Sequence, residues 1–253
     1  MLKDFRFIEK ANLPQHKVKH CILGENATEA IQFLKDYGIN PLFVKASSEL
    51  DEEIASHADI QAMYCGSKTA VISPNQTDLI RAISELGCRV EVAENKPFSP
   101  YPNDVLLNQT ILNDVLIGNT DFASEKITEF ASNNKLEVLQ TKQGYSKCSI
   151  CIVSENAIIT EDNGIANLLK NSQINVLKIE PGNIYLSDKH YGFIGGASGK
   201  ISKNEIFFNG NIEEHPSYAE IIAFLNNYNV KPVYSKSYKL TDIGSILPIT
   251  ELI

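Results

Sequence analysis

The chain has 253 residues, 43% of them hydrophobic, which is enough apolar side chain to bury a large core and too much for a disordered segment. Its formal net charge of −8, with no block of like charges, argues against nucleic-acid binding, because gripping a phosphate backbone takes a clustered basic face. No apolar run approaches the about 18 residues of a membrane span, and residues 1–13 lack the apolar centre of a signal peptide.

The N-terminal stretch is mildly basic through Lys3, Arg6, Lys10, Lys17 and Lys19 and reads as a solvated edge. It leads into an apolar run, Val18-Lys-His-Cys-Ile-Leu, and then into the first of five segments with apolar residues at helical spacing. These segments are 28–37, 77–86, 123–132, 165–171 and 218–227. Two open with an Asn-x-x-acid pattern, Asn26 to Glu29 and Asn75 to Asp78, which suits a capping box. Each helix runs through a polar or Gly turn into a short strand, at 41–44, 90–93, 136–139, 176–179 and 230–234. Before each of the later four helices another strand follows a turn, at Ala70-Val-Ile, Val115-Leu-Ile, Ala157-Ile-Ile and Ile206-Phe-Phe. The unit is strand, hairpin, strand, helix, strand. Helix starts recur roughly every 40–55 residues, the period of blades or arrays.

This gives repeats at 28–75, 76–121, 122–162, 163–216 and 217–253 in a single domain over 1–253. The last repeat stops at residues 245–249 without its second hairpin strand, and residues 17–24 match the missing piece. Completion of the last blade by the first strand closes a ring and removes exposed sheet edges. The expected fold is therefore an α/β five-bladed propeller of ββαβ repeats about a pseudo-fivefold axis.

The five cysteines, Cys21, Cys65, Cys88, Cys148 and Cys151, are odd in number and mostly lie in or beside apolar runs. They read as buried reduced thiols of a cytoplasmic protein. Cys148 and Cys151 have the C-x-x-C spacing of redox and zinc sites. Their run, Cys-Ser-Ile-Cys-Ile-Val, is strand-like, so residues three apart face opposite sides, and no second pair or nearby His completes a metal site. No metal and no other cofactor is expected.

Five ββαβ units closed by an N-terminal strand resemble the pentein, or guanidino-group-modifying enzyme, fold. That superfamily includes arginine and agmatine deiminases, dimethylarginine hydrolases, amidinotransferases and a non-catalytic ribosome anti-association factor. If this chain is an enzyme, the resemblance implies a hydrolase or amidinotransferase acting on C–N bonds of guanidino compounds. It also implies a Cys nucleophile near the C-terminus, a His in a His-x-Asp motif of the fourth unit and carboxylates around the guanidinium. Here the C-terminal run Leu240-Thr-Asp-Ile-Gly-Ser carries Gly244 and Ser245 and no Cys. A His-x-Asp occurs in the first unit, as His57-Ala-Asp59, whereas the fourth unit has His190-Tyr-Gly192.

Asp59 precedes Val71 by the same twelve residues by which Asp104 precedes Leu116, and Asp242 shares the Asp-Ile context of Asp59. These acids fall at one repeat position, where strand starts would converge on the axis; Ser146 or Cys148 takes that place in the third unit, and Gly192 or Ile194 in the fourth. Carboxylates packed together raise one another's pKa and attract a cation, and a guanidinium offers forked donors that match them. The ligand so implied is a small cationic or guanidino metabolite held by Asp59, Asp104 and Asp242. Tyr101, Tyr145 and Tyr191 would be aromatic walls, and His57 and His190 titratable neighbours. The blander alternative makes each Asp a turn residue bonded to backbone N–H groups and each Tyr a packing residue.

Cys148 is the thiol placed to reach such a centre. With His57 or His190 it would be an activated nucleophile; otherwise it is a buried strand residue. Ser245 as a nucleophile lacks an oriented base in its own loop. Gly195, Gly196 and Gly199 lack the strand-to-helix context and Lys-Ser/Thr pair of a phosphate loop and read as a wide turn or bulge. Three functions stay open: binding of a small cationic metabolite, divergent guanidino-group hydrolysis or transfer by a Cys/His pair, and an interaction protein that keeps only the scaffold.

Overall fold

A computed structural model describes residues 4–253; Lys3 of the basic stretch and the first residues of the 1–13 segment lie outside it. In chain order, β1 (Phe5–Phe7), β2 (Val18–Gly24), α1 (Thr28–Asp36) and β3 (Asn40–Val44) precede α2 (Ala58–Gln61), β4 (Ala62–Gly66), β5 (Thr69–Ile72), α3 (Thr77–Leu86) and β6 (Arg89–Val92). Then come β7 (Thr110–Leu112), β8 (Val115–Gly118), α4 (Glu125–Asn133) and β9 (Glu137–Gln140). The next group is α5 (Ser146–Ser149), β10 (Cys151–Ser154), β11 (Ala157–Thr160), α6 (Asn163–Leu169) and β12 (Asn175–Lys178). The chain continues through β13 (Ser198–Ser202), β14 (Glu205–Phe208), α7 (Tyr218–Asn227) and β15 (Lys231–Tyr234) to β16 (Leu247–Leu252).

The strands form five small sheets in a mixed α/β arrangement. Four have the orders β4-β5-β6, β7-β8-β9, β10-β11-β12 and β13-β14-β15. In each, the first pair is antiparallel, joined by a short turn, and the second is parallel because a helix carries the chain back. The fifth sheet has the order β1-β16-β2-β3. There Leu247 of β16 lies opposite Ile22 of β2 and Pro248 opposite Cys21. The N-terminal strand thus fills the place left by the last hairpin, as the end-complementarity implied, and β1 adds an edge strand that the sequence pattern did not signal.

Central strands pack on both faces. Every residue of β5 and of β11 is buried, which is why Ala70-Val-Ile and Ala157-Ile-Ile run apolar without alternation. The largest buried cluster joins Ile22, Leu34, Ile83, Phe207 and Ile249, so residues from both ends share one core. Phe33 of α1 meets Phe207 of β14 with ring centroids 4.8 Å apart. Among the described residues, no helix is long and apolar enough to cross a membrane.

Local readings need correction at three places. The Asn26 and Asn75 capping boxes are not formed: the caps are Ala27 and Gln76, without side-chain cap bonds. Asp59 does not open a strand; it sits in the first turn of α2, with His57 as the extended N-cap residue. Cys148 likewise lies on α5, and the strand begins only at Cys151. A single buried helical turn before a strand has no periodicity of its own, so its apolar residues merge with the strand in a sequence reading. All five cysteines are free and buried.

Candidate functional site

Three loop regions knit together where α2, α5 and the segment before β16 meet. Asp59 N–H donates to Gly244 O (3.0 Å), Gly196 N–H to Cys148 O (2.8 Å) and Ser245 N–H to Gly196 O (2.8 Å). Two glycines make this approach possible. A Cβ on Gly196 would stand 2.0 Å from Asp242 Oδ1; one on Gly244, at φ +75°, would stand 2.4 Å from His57 Cα.

The polar groups enclosed here form one connected set. Cys148 Sγ–H donates to Asp59 Oδ2 at 3.0 Å, and Ser245 Oγ–H donates to the same oxygen at 2.5 Å. The Lys147 ammonium, itself buried, donates to Ser245 Oγ at 3.0 Å. Asn108 holds both residues of the Lys147–Cys148 pair. Its Oδ1 accepts from both backbone N–H groups (2.8 and 3.2 Å), and its Nδ2 donates to Cys148 Sγ (3.2 Å). Asp242 accepts from Phe193 N–H and Gly244 N–H, each at 2.9 Å, and its Oδ1 lies 3.9 Å from His57 Nδ1. Within this set, the buried atoms His57 Nδ1 and Asp59 Oδ1 have no hydrogen-bond partner. Ser245, with φ +67°, is a non-glycine residue in the left-handed region.

Burial dominates the electrostatics. It pushes Asp242 up to about 6 against the opposing backbone hydrogen bonds, and it raises Asp59, with the Asp242 charge adding to the effect. The Cys148 thiol is raised by burial first and then by the Asp59 and Asp242 charges, which favours the protonated form. Burial lowers both His57 and Lys147. Glu161, which accepts from Ile194 N–H at 3.1 Å, is pushed up to about 8, again by burial.

Three residues of this set, with Asp59, Lys147, Ser245 and Asn108 packed beneath them, line a cavity of about 240 Å³. His57, Cys148 and Asp242 line the floor, Tyr145, Phe193, Ile54, Ile60 and Leu186 the sides, and Asp51, Glu53 and His190 complete the lining. His190 is at the rim: its Nδ1 is 2.8 Å from Glu53 Oε2, and Ser187 Oγ donates to Glu53 Oε1 at 2.7 Å. The structure therefore brings together Cys148, His57, Asp59 and Asp242, with Tyr145 and His190 on the same cavity.

It does not bring in the others. Asp104 is buried and spends Oδ2 on the Tyr145 hydroxyl (2.6 Å), behind the cavity wall. Tyr101 is 47% exposed and touches the site only through Tyr145, with ring centroids 5.8 Å apart. Tyr191 is 62% exposed and lines a neighbouring shallow groove with residues 182–185 and 187–190, which shares His190 with the cavity. The count that aligned Asp104 with Asp59 is correct in sequence, but Asp104 lies in a turn and Asp59 in a helix, so equal spacing does not place them alike. Sequence reasoning missed Lys147, Asn108, Glu53 and Asp51, and it discounted Ser245 for want of an oriented base, whereas Lys147 reaches Ser245 from a different segment. Nothing in the local pattern signals Lys147; only its adjacency to Cys148 pointed that way.

The fold and its five sheets match solved structures of guanidino-modifying enzymes, so the fold is that of the pentein class. The amidinotransferase SxtG of Microseira wollei is 9% identical, with a TM-score of 0.58 over 90% of this chain and 92% of that chain. A Pseudomonas aeruginosa dimethylarginine hydrolase, a Cys-to-Ser mutant complexed with citrulline, is also 9% identical, with a TM-score of 0.58 over 94% of this chain and 100% of that one. A C. jejuni agmatine deiminase with substrate bound is 10% identical, with a TM-score of 0.56 over 100% and 98%. Residues 22–247 match a family described as a family of unknown function (DUF6873), and the chain belongs to that family. No curated protein matches the sequence.

Proposed function

We propose that this protein binds a small guanidino or amine cation in the cavity above Cys148. The observation that carries the reading is the Asp242 carboxylate, fully buried yet lining a cavity that also presents Asp51 and Glu53. The floor is short of positive charge. Asp59 and Asp242 face one ammonium, Lys147, and a bound monocation would offset the desolvation that raises both acids. Tyr145 and Phe193, with ring centroids 6.3 Å apart, offer flat faces to a planar cation. Fold relatives solved with citrulline or with agmatine deiminase substrate support the same ligand class.

Titration calorimetry with agmatine, arginine, citrulline and simple amines tests this. Agmatine or arginine should bind, and Asp242→Asn should weaken binding at least about tenfold, the scale of one charge-assisted contact. No binding to the native chain, or binding unchanged in both Asp242→Asn and Glu53→Gln, overturns the reading.

A second reading is favoured by the position of Cys148, on the cavity floor with His57 and Asp59 in reach. A cation above the thiol would offset part of the carboxylate charge that holds its proton in place. The thiol proton would pass to His57 as the sulfur adds to the guanidino carbon, and His57 would hand it to the leaving amine as the C–N bond breaks. Water would release the ureido product and return the thiol. Ammonia or amine should then be released from the bound compound and not in Cys148→Ala. Release that persists in that variant removes Cys148 from the chemistry. A scaffold that only binds protein partners fits less well, since its cavity would be plugged by side chains.

A further inference from the structure

The expectation of no metal rested on the strand-like run of Cys148 and Cys151 and on the lack of a second Cys pair or a His nearby in sequence. The fold places Cys148 of α5 instead beside His57 and Asp59, the N-cap and first-turn residues of α2. One ligand atom from each of the three lies within 4.8 Å of the others, and all three residues are buried. Ligand atoms around a tetrahedral zinc stand about 3.4 Å apart, from metal–ligand lengths of about 2.0–2.3 Å. Small side-chain rotations therefore bring this set to bonding distance.

Two independent features point to a ligand. His57 Nδ1 and Asp59 Oδ1 are buried polar atoms without partners, on residues 4% and 1% exposed. Such orphans are costly unless something fills the gap. Contacts that would orient metal ligands are also in place: Asn108 Nδ2 donates to Cys148 Sγ, and Ser245 Oγ donates to Asp59 Oδ2. Partners of this kind orient metal ligands.

We infer that His57, Asp59 and Cys148 form a binding site for a borderline-soft divalent ion such as Zn²⁺, with a fourth position open to the cavity. The donor set of one imidazole, one carboxylate and one thiolate is of the type zinc and cobalt take. On binding, the Cys148 thiol passes its proton to solvent and the S–H···O contact to Asp59 gives way to two metal bonds. Thiolate and carboxylate then balance the two charges of the ion. This inference does not rest on the cation-binding reading, although the ion and an organic cation would compete for the same cavity floor.

The test is a Co²⁺ titration of the chelator-treated full chain. One equivalent should bind, with tetrahedral visible bands and an intense thiolate-to-cobalt band in the near ultraviolet. Cys148→Ser should abolish the near-ultraviolet band and Cys151→Ser should keep it. His57→Gln should weaken affinity by more than the about 10–100-fold that outer-contact changes cost. A second arm needs no variant: Zn²⁺ should slow alkylation of Cys148 in the native chain, read by peptide mapping, and leave Cys151 unaffected. Absence of one-to-one binding, a near-ultraviolet band that survives in Cys148→Ser, or equal protection of all five cysteines overturns the inference. Agmatine binding in the metal-free protein would stand through any of these results, so the two proposals fail separately.

Discussion

At the scale of single residues, the site depends on space as much as on charge. Gly196 leaves room for the Asp242 carboxylate, and Gly196→Ala would put a methyl group 2.0 Å from Oδ1. Because Asp242 is anchored by two backbone N–H groups, it cannot swing aside freely. We expect Gly196→Ala to lower stability by about 1–3 kcal/mol, seen as a lower urea midpoint, and to abolish ligand binding in the cavity. Glu161 is a second case. Its buried carboxyl is raised to about 8 from an ordinary value of 4.5. The folded state holds this proton more tightly than the unfolded chain. The contribution of Glu161 is thus fully present below about pH 4.5 and is lost as pH rises to about 8, with a slope approaching ~1.4 kcal/mol per pH unit. Glu161→Gln keeps a carbonyl acceptor for Ile194 N–H and cannot ionise. Its melting temperature should gain on the parent between pH 5 and 8 and show no gain at pH 4. Parallel pH profiles of the two proteins would refute this.

At the scale of elements, the helices are fixed by different devices. Asp162 caps α6: Oδ1 accepts from Ile165 N–H at 2.7 Å, while Oδ2 accepts from Gln143 Nε2 at 3.1 Å and ties the helix to the segment before α5. Asp162→Ala should cost about 1 kcal/mol, a fall of about 2–4 °C for a chain of this size, and Asp162→Ser should recover most of it. A loss below a few tenths of a kcal/mol in a denaturant titration would show the cap to be idle. The element scale is also where sequence reading was strongest and weakest. Residues 77–86 and 218–227 are helices over those same bounds, because Leu79, Ile83, Ile221 and Leu225 repeat at helical spacing against buried faces. The one-turn helices α2 and α5 escaped, since four residues carry less than a period and a half. The missed helices are the two that carry Asp59 and Cys148.

At the scale of the whole molecule, the two ends are bound into one sheet. β16 sits between β1 and β2, with Leu247 opposite Ile22 and Phe5 opposite Leu252. Ile249 is fully buried in the cluster that includes Leu23 and Phe207. We expect Ile249→Ala to destabilise the entire fold by about 2–5 kcal/mol, with a lowered denaturant midpoint and an unchanged slope. A local effect, with fraying of the last strand and an unaltered main transition, would contradict this. Pairing residues more than two hundred positions apart also carries a loop-closure cost, which slows folding more than it affects stability.

The sequence by itself determined the alternation of strands with the longer helices and the pairing of residues 17–24 with the last strand. Each follows from apolar periodicity and length, which are local properties of the chain. It also singled out His57, Asp59, Asp242 and Cys148. Their company was decided only by the tertiary structure. Which acids face the cavity, that Asp104 is spent on Tyr145, and that Lys147 reaches Ser245 across 98 residues of chain depend on how loops from different sheets meet. Spacing along a chain fixes which face of an element a side chain occupies; it carries no information on which distant loop will stand opposite.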